Sequence, residues 1–285
     1  MRRLILEIIG TALLGTSTKI HSPKGFILFG PTASNGKSRI LNIMRQLLPD
    51  YATCSIPPAD LDKEQSLATL VGCVANLNDE LSSSKSIASD KMKAIITGDV
   101  VSAKVIYREV FNFAPRAMHV YATNALPTFK GGVDAGVERR MLVVPFDRTI
   151  PKENRIPAID EKIVNEEANP LVSASLIAGA QVYKSGQFST PQNCLEATEL
   201  WFKEADPVRE WYDEGGLSKH AAKQPVLLKD LYKKFVGDME DTCDSNYIPQ
   251  KRRFFGQIRA LIAGDPEWQI SRRSDGETVF AARLV

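Results

Sequence analysis

The chain has 285 residues, a mass of 31.5 kDa and a formal net charge of +2, so it is long enough to bury a full core. Its 44% hydrophobic and 25% charged residues are typical of a folded protein, which excludes global disorder and a disulfide-stapled mini-protein. The charge is too small to indicate a nucleic-acid partner by itself, so that inference must rest on local clusters.

The cysteines and the apolar segments indicate the environment in which the chain works. Cys54, Cys73, Cys194 and Cys243 show no CxxC or Cys/His spacing that suits zinc, so we expect free thiols in a reducing compartment. No charged-then-apolar leader follows Met1, and no apolar run reaches the roughly 20 residues of a membrane helix. The sequence therefore predicts a soluble, cytoplasmic protein with no membrane partner.

Apolar spacing predicts alternating helices and strands over most of the chain. A helix is predicted over residues 3–14, then a short buried strand at 26–29 and a second helix that ends near Pro49. Further apolar runs predict buried strands at 70–77, 118–122 and 141–146. Residues 159–184 have a helical pattern that Pro170 interrupts. This order predicts an α/β fold with a mainly parallel sheet flanked by helices.

A smaller unit is predicted at the carboxyl-terminal end. The turn-rich stretch 185–192 indicates a boundary, so we expect one domain over 1–190 and a second over 191–285. In the second domain, helical patterns at 226–236 and 251–262 precede two β-prone runs that flank the turn signal Ser274-Asp275-Gly276. Two helices followed by a hairpin form the outline of a winged-helix domain.

The strongest chemical signal lies in residues 30–38, between the predicted strand 26–29 and the helix that follows it. This segment is a P-loop motif, in which the unpaired N–H groups and dipole of a helix start attract phosphate oxygens. Lys37 is expected to reach the β- and γ-phosphates, and the Ser38 hydroxyl to bind Mg²⁺. The candidate nucleotide-binding residues are Ser34, Asn35, Gly36, Lys37 and Ser38.

The loop departs from the usual G-x-x-x-x-G-K-[ST] spacing. Five residues separate Gly30 from Gly36, so either Pro31 takes the place of the first glycine or the loop has gained one residue. The part expected to touch phosphate is intact. The structural alternative is a chance Gly-Lys-Ser sequence at the start of a helix.

Polar residues follow two other predicted strands. Asp79 and Glu80 come after the predicted strand 70–77, where an α/β sheet places its ligand; Asp79 would hold Mg²⁺ and Glu80 would polarise the attacking water. Asn124 ends the next strand, where its amide can hydrogen-bond the γ-phosphate and the lytic water. The alternatives are a solvated turn for the carboxylates and a simple strand end for the asparagine.

Arg139 and Arg140 precede the predicted strand 141–146. A guanidinium delivered to the γ-phosphate of a neighbouring subunit would stabilise charge in the transition state. A surface salt bridge is the alternative for the same arginine pair.

In this order the elements resemble superfamily 3 helicases of the AAA+ class, in the branch of phage, plasmid and poxvirus primase-helicases. Residues 93–104 look like that branch's own motif, although Thr97-Gly98 stands where a glycine pair usually precedes Asp99. The resemblance implies a P-loop AAA+ core with ATP and Mg²⁺ as cofactors. It also implies a homo-oligomer, a hexamer, that hydrolyses ATP at subunit interfaces and translocates on single-stranded DNA during replication of a mobile element.

The same resemblance places a hairpin that grips single-stranded DNA after residue 104. Lys104, Tyr107 and Arg108 are its candidate contacts, because cations meet phosphates and an aromatic ring can stack on a base. A packed Tyr107 and a merely solvated Arg108 are the alternative.

A second candidate surface for nucleic acid lies in the predicted winged helix. Residues 206–285 hold 13 Lys/Arg and 13 Asp/Glu, but Lys251, Arg252 and Arg253 cluster at the start of a helix. With Arg272 and Arg273 near the wing, they suit the phosphates of duplex DNA. A solvated helix face or a protein-docking surface is the alternative.

The resemblance covers residues 4–146 and, more weakly, the rest. Many relatives carry a primase domain upstream and nothing before residue 20 fits one, so we expect a separate primase or replication initiator as a partner. The same nucleotide-binding residues would also be expected in an origin-binding or helicase-loading protein that uses ATP as a switch and has no unwinding activity. A terminase-like packaging motor is disfavoured because no nuclease-type carboxylate cluster follows.

Overall fold

A computed structural model describes residues 1–79, 86–129, 133–240, 248–274 and 276–282. The candidate Glu80, the fourth cysteine Cys243 and the turn residue Asp275 lie outside these described residues. Contacts divide the chain into a first unit, residues 1–127 and 134–201, and a second unit, residues 128–133 and 202–285. The predicted domain boundary at residue 190 stays a prediction.

Helices and strands alternate along the first unit. Its helices are α1 (Arg2–Leu13), α2 (Lys37–Leu47), α3 (Glu64–Ala68), α4 (Ser89–Thr97), α5 (Ala135–Glu138), α6 (Ile159–Ser185) and α7 (Gln192–Glu204), whose last residues belong to the second unit. Its strands are β1 (Gly25–Phe29), β2 (Thr53–Cys54), β3 (Ala75–Asn78), β4 (Val101–Lys104), β5 (Val110–Phe113), β6 (Met118–Thr123) and β7 (Met141–Pro145).

Five of these strands form one parallel sheet in the order β2-β3-β6-β1-β7. Leu28 pairs with both Ala122 and Val144, and Asn78 pairs with Tyr121, so the carboxyl ends of the strands meet at one edge. The sheet strands are buried nearly throughout, which is why they appear in the sequence as apolar runs. The predicted α/β fold with a mainly parallel sheet is confirmed.

Two details of the predicted elements are wrong. The strand predicted over 70–77 begins only at Ala75, because the chain turns at 70–73, where the Cys73 N–H donates to the Leu70 carbonyl and Gly72 has a φ of +84°. Pro170 does not interrupt α6, which continues through it. Pro170 is exposed, so water can satisfy the carbonyl that loses its N–H partner.

Helices α1 and α6 approach each other backbone to backbone. A Cβ atom at Gly10 would lie 1.7 Å from the Ser175 carbonyl oxygen, and one at Gly179 would lie 2.7 Å from the Gly10 oxygen. Only glycine leaves room for this approach. Around it, apolar side chains of α1, α2 and α6 form one buried cluster with the sheet. The close approach therefore fixes how α1 covers the core.

The second unit combines helices with a small antiparallel sheet. Its further helices are α8 (Pro207–Asp213), α9 (Gly216–Ala221), α10 (Leu228–Glu240) and α11 (Lys251–Ala263). Its strands β8 (Val226–Leu227), β9 (Trp268–Arg273) and β10 (Gly276–Ala281) lie in the order β8-β10-β9. Trp211, Phe235 and Phe254 form the aromatic centre of its core. Within the described ranges, no helix combines the length and the apolar character needed to cross a bilayer.

The carboxylate of Asp238, in the second unit, has three side-chain nitrogen atoms within hydrogen-bonding distance. Asp238 accepts from Trp211 Nε1 at 2.9 Å and from Lys219 Nζ at 2.6 Å, and His220 Nε2 lies 2.6 Å from its Oδ2. Burial alone would raise the pKa of Asp238, but the hydrogen bonds from Lys219, Trp211 and His220 outweigh burial and lower the pKa to about 2. Asp238 therefore ties α8, α9 and α10 together in its ionised form.

Replacing Gly10 by Ala should lower the free energy of unfolding by about 1–3 kcal/mol, because the new methyl group forces α1 away from α6. Gly256→Ala in α11 is the matched control, since its Cβ would meet nothing within 4 Å. That change should stabilise by about 0.5–1 kcal/mol, the helix preference of Ala over Gly. Urea unfolding measures both, and a Gly10→Ala variant as stable as the wild type would contradict the close approach.

The depressed pKa of Asp238 predicts a pH-dependent contribution to stability. A carboxyl group with a lower pKa in the folded chain stabilises it above the ordinary pKa of 3.8, and this contribution is lost as the pH falls towards about 2. Asp238→Asn should therefore cost about 2 kcal/mol at pH 7, and the difference from the wild type should shrink below pH 4. Thermal unfolding of both proteins from pH 2 to 7 tests this; a constant difference would refute it.

Candidate functional site

A cavity opens at the carboxyl ends of β1, β3 and β6. It has a volume of about 290 Å³ and is lined by residues 33–38, Arg39, Asp79 and residues 122–124. Ligands of open α/β sheets bind at this edge of the sheet. The structure thus brings together the loop, the carboxylate Asp79 and the amide Asn124, which are spread over about 90 residues of the sequence.

The loop before α2 is shaped by its own side chains and by a distant segment. The Asn35 amide donates to the carbonyls of Thr32 at 2.8 Å and Phe146 at 3.1 Å. The Ile150 N–H donates to the Ser34 carbonyl, at a position where Ser34 has a φ of +60°. These bonds fold residues 32–35 into a tight turn. Gly36 follows with a φ of +94° and caps α2.

Lys37 lies at the centre of the site. Its ammonium donates to the carbonyl of Gly30 at 3.0 Å, to Asn35 Oδ1 at 2.9 Å and to Asn124 Oδ1 at 2.8 Å. The residue is only 6% exposed, and burial lowers the pKa of its ammonium group. Lys37 therefore connects the loop directly to the end of β6.

Asp79 lies on the cavity wall but is not free. Both of its oxygens accept from Arg45, which the sequence analysis did not identify; the Nη1–Oδ2 distance is 3.1 Å. Arg45 also donates to the Leu77 carbonyl at 3.0 Å. In the sequence, Arg45 follows Lys37 by eight residues, about two helical turns, and this spacing does not identify Asp79 as its partner.

Other polar residues of α2 extend the Arg45–Asp79 ion pair into a longer chain of hydrogen bonds. Arg39 Nη1 donates to Asp160 Oδ1 at 2.8 Å, Asn42 Nδ2 donates to Asp160 Oδ2 at 3.0 Å, and Asn42 Oδ1 accepts from Arg45 Nη1 at 2.9 Å. Burial raises the pKa of Asp160, but the bonds from Asn42 and Arg39 outweigh it, so the pKa is lowered. A chain of hydrogen bonds thus runs from Arg39 through Asp160, Asn42 and Arg45 to Asp79.

Arg139 and Arg140 lie at the other end of the sheet. They precede Met141, which pairs with Gly25 at the start of β1, whereas the loop follows the end of β1. The five residues of β1 separate these ends by about 16 Å. Arg140 donates to the Gly136 carbonyl at 2.9 Å, and burial and then Arg139 lower its pKa. The structure therefore does not bring either arginine to the cavity of its own chain.

The segment after residue 104 is a hairpin. Strands β4 and β5 pair antiparallel, with Lys104 opposite Val110. At the tip, the Arg108 N–H donates to the Val105 carbonyl at 3.0 Å, and Tyr107 has a φ of +63°. The Tyr107 side chain is fully exposed, so the alternative of a packed tyrosine is wrong. Lys104 and Arg108 are also exposed, which places all three candidate contacts in solvent.

The three basic residues at the start of α11 are not equivalent. Lys251 and Arg252 are exposed, and the Lys251 ammonium lies 5.6 Å from the centre of the Phe255 ring. Arg253 is half-buried and acts electrostatically on Asp206, whose pKa is raised by burial. The prediction of a contact to duplex DNA therefore fits the exposure of Lys251 and Arg252 better than that of Arg253. Arg272 on β9 is exposed as well.

Two sequence comparisons relate this chain to known proteins. Residues 28–140 match a protein family of unknown function, DUF5906. A protein of Acanthamoeba polyphaga mimivirus named "putative helicase" is 31% identical over 153 residues, which is 51% of this chain and 15% of the viral protein. The chain therefore spans about 15% of the length of that curated relative. The family match begins in β1 and ends at Arg140, so it contains every residue named above on the cavity wall.

Solved structures with a similar fold include two of the C-terminal region of NrS-1, both in the apo form. One superposes with a TM-score of 0.50 at 14% identity, and the other with a TM-score of 0.51 at 12% identity. Each alignment covers 98% of this chain and 74% of the NrS-1 region. At such low identity the likeness concerns the fold alone.

Proposed function

We propose that this chain is an ATP-hydrolysing motor of the helicase type that moves along single-stranded DNA. The observation that carries the proposal is the shared cavity, in which Lys37, Asp79 and Asn124 meet and Lys37 bonds Asn124 directly. The similarity to a viral protein named as a helicase supports the choice of a nucleic-acid motor over other P-loop enzymes.

The loop would bind the phosphates of ATP. Lys37 would exchange the carbonyl oxygens of its present partners for the more strongly charged β- and γ-phosphate oxygens. The start of α2 has no side-chain cap, so its N–H groups would supply further donors to the phosphates. Asn124 would then turn its amide to the γ-phosphate and the attacking water, and Glu80, outside the described residues, would polarise that water.

The side-chain oxygen atoms on the cavity wall are suitable ligands for Mg²⁺. Ser38 offers an exposed hydroxyl, and Asp79 offers a carboxylate on the same wall. Mg²⁺ prefers oxygen ligands and takes few from the protein when phosphates supply others. When bound, Mg²⁺ would neutralise charge on the phosphates. Ser38 and Asp79 would hold it, with Asp79 leaving part of its contact with Arg45.

The position of Arg139 and Arg140 supports a homo-oligomer. Because both arginines precede the end of β7 that is opposite the loop of their own chain, an arginine finger from this segment would serve a neighbouring chain. Arg139 is exposed, whereas Arg140 is held by Gly136. A closed ring, six subunits in the superfamily 3 AAA+ proteins that the sequence resembles, would complete each site in this way.

Two surfaces are proposed for nucleic acid and partners. Lys104, Tyr107 and Arg108 at the hairpin tip would grip single-stranded DNA. The second unit, with α10 and α11 followed by the β9–β10 hairpin, would be a winged helix that places Lys251 and Arg252 on duplex phosphates. A separate primase or replication initiator would complete the machinery of the mobile element that encodes the chain.

Lys37→Ala should abolish ATP hydrolysis and leave the fold intact, because the ammonium group would contact phosphate and its present partners are polar oxygen atoms rather than core side chains. Phosphate release is the measurement, with circular dichroism as the check on folding. Lys162→Ala, at an exposed position of α6, is the control and should hydrolyse ATP normally. Hydrolysis by Lys37→Ala at the wild-type rate would refute the site.

Strand displacement on a forked substrate then separates a helicase from a helicase loader, which would displace nothing.

Tyr107→Ala should weaken binding of single-stranded DNA by about tenfold, the order expected for one stacked base. Tyr51→Ala is the matched control, since Tyr51 is 84% exposed elsewhere in the first unit and should contribute nothing. Fluorescence anisotropy with a labelled oligonucleotide measures both. Equal affinities for the two variants would contradict the proposed contact between the hairpin and single-stranded DNA.

A further inference from the structure

A single guanidinium engages both carboxylate oxygens of Asp79. Arg45 Nη1 donates to Oδ2 at 3.1 Å, and Arg45 Nη2 donates to Oδ1. Two neighbours hold the guanidinium in this orientation, since Leu77 O and Asn42 Oδ1 accept from it at 3.0 and 2.9 Å. Bidentate pairs of this kind are stronger and more directional than single contacts.

The pair is partly shielded from water. The side chains of Arg45 and Asp79 are 32% and 34% exposed, so their attraction exceeds that of a freely solvated surface pair but remains breakable. Because Asp79 also lines the cavity, one carboxylate serves both the ion pair and the cavity wall.

We propose that Arg45 is a latch that competes with divalent metal for Asp79 and so raises the metal concentration at which the nucleotide site fills. The proposal rests on the proposed function, in which Asp79 is the metal carboxylate. A cation that approaches Asp79 meets the positive charge of Arg45 and oxygens that are already hydrogen-bonded. Metal uptake therefore requires the Arg45–Asp79 pair to open.

The surroundings of Arg45 make this opening reversible. When Asp79 turns to the metal, Arg45 keeps its bonds to the Leu77 carbonyl and to Asn42 Oδ1. Asn42 in turn remains fixed by Asp160. Arg45 thus keeps these two hydrogen-bond acceptors when its ion pair with Asp79 is open. It acts as a positioning residue that touches neither nucleotide nor metal.

The test is the affinity of the site for Mn²⁺, measured by electron paramagnetic resonance of free Mn²⁺ in the presence of a non-hydrolysable ATP analogue. Arg45→Met removes the competing charge and should lower the Kd for Mn²⁺ about three- to tenfold. Arg45→Lys keeps a charge but loses the bidentate contact, so its Kd should lie between those of the wild type and Arg45→Met.

Two controls identify the cause of the change. Arg259→Met breaks an ion pair with Glu277 in the second unit and should leave the Kd unchanged. In an Asp79→Asn background, Arg45→Met should no longer change the Kd, because the contested carboxylate is gone.

The outcomes separate the latch from the proposed function. If the wild type binds Mn²⁺ with the analogue and Arg45→Met binds it equally or more weakly, the proposal that Arg45 competes with metal is wrong. The proposed nucleotide site is then unaffected. If the wild type shows no analogue-dependent Mn²⁺ binding, the proposed function fails and the latch with it. Should Arg45→Met not fold, Arg45→Lys decides: a Kd no lower than that of the wild type refutes the latch.

Discussion

The hydrogen bond between the Lys37 ammonium and Asn124 is the interaction on which the rest of the candidate site depends. It forms only because β1 and β6 are neighbours in parallel register, so that both strands end at the same edge. Burial of the ammonium group makes its oxygen partners necessary, since an unpaired charge would be costly there. Phosphate oxygens are a natural substitute for those partners, which is why this geometry favours nucleotide chemistry.

The parallel sheet and the outline of the site could be predicted from the sequence. Strands buried on both faces leave continuous apolar runs, such as residues 26–29, that periodicity detects. Because parallel strands share one carboxyl edge, polar residues directly after such runs had to converge. Together with the P-loop motif, this rule predicted that Lys37, Asp79 and Asn124 lie close together, as the cavity lining shows.

The partners of these residues could not be predicted, because they come from distant segments and leave no local pattern. Arg45 looked like an ordinary helix arginine, and its contact with Asp79 depends on how α2 lies against the sheet. Asp160 accepts from α2 across more than a hundred residues. Conversely, the exposure of Tyr107 and the partial burial of Arg253 depend on hairpin and helix orientation, which residue type does not determine.

The turn at residues 32–35 is completed by Phe146 and Ile150, which follow it by more than a hundred positions. During synthesis the ribosome therefore releases the loop before α2 long before the segment that shapes it. A nascent or truncated chain has the full motif without its finished geometry. The finished geometry of the turn is thus delayed until β7 has joined the sheet and the residues after it reach the loop.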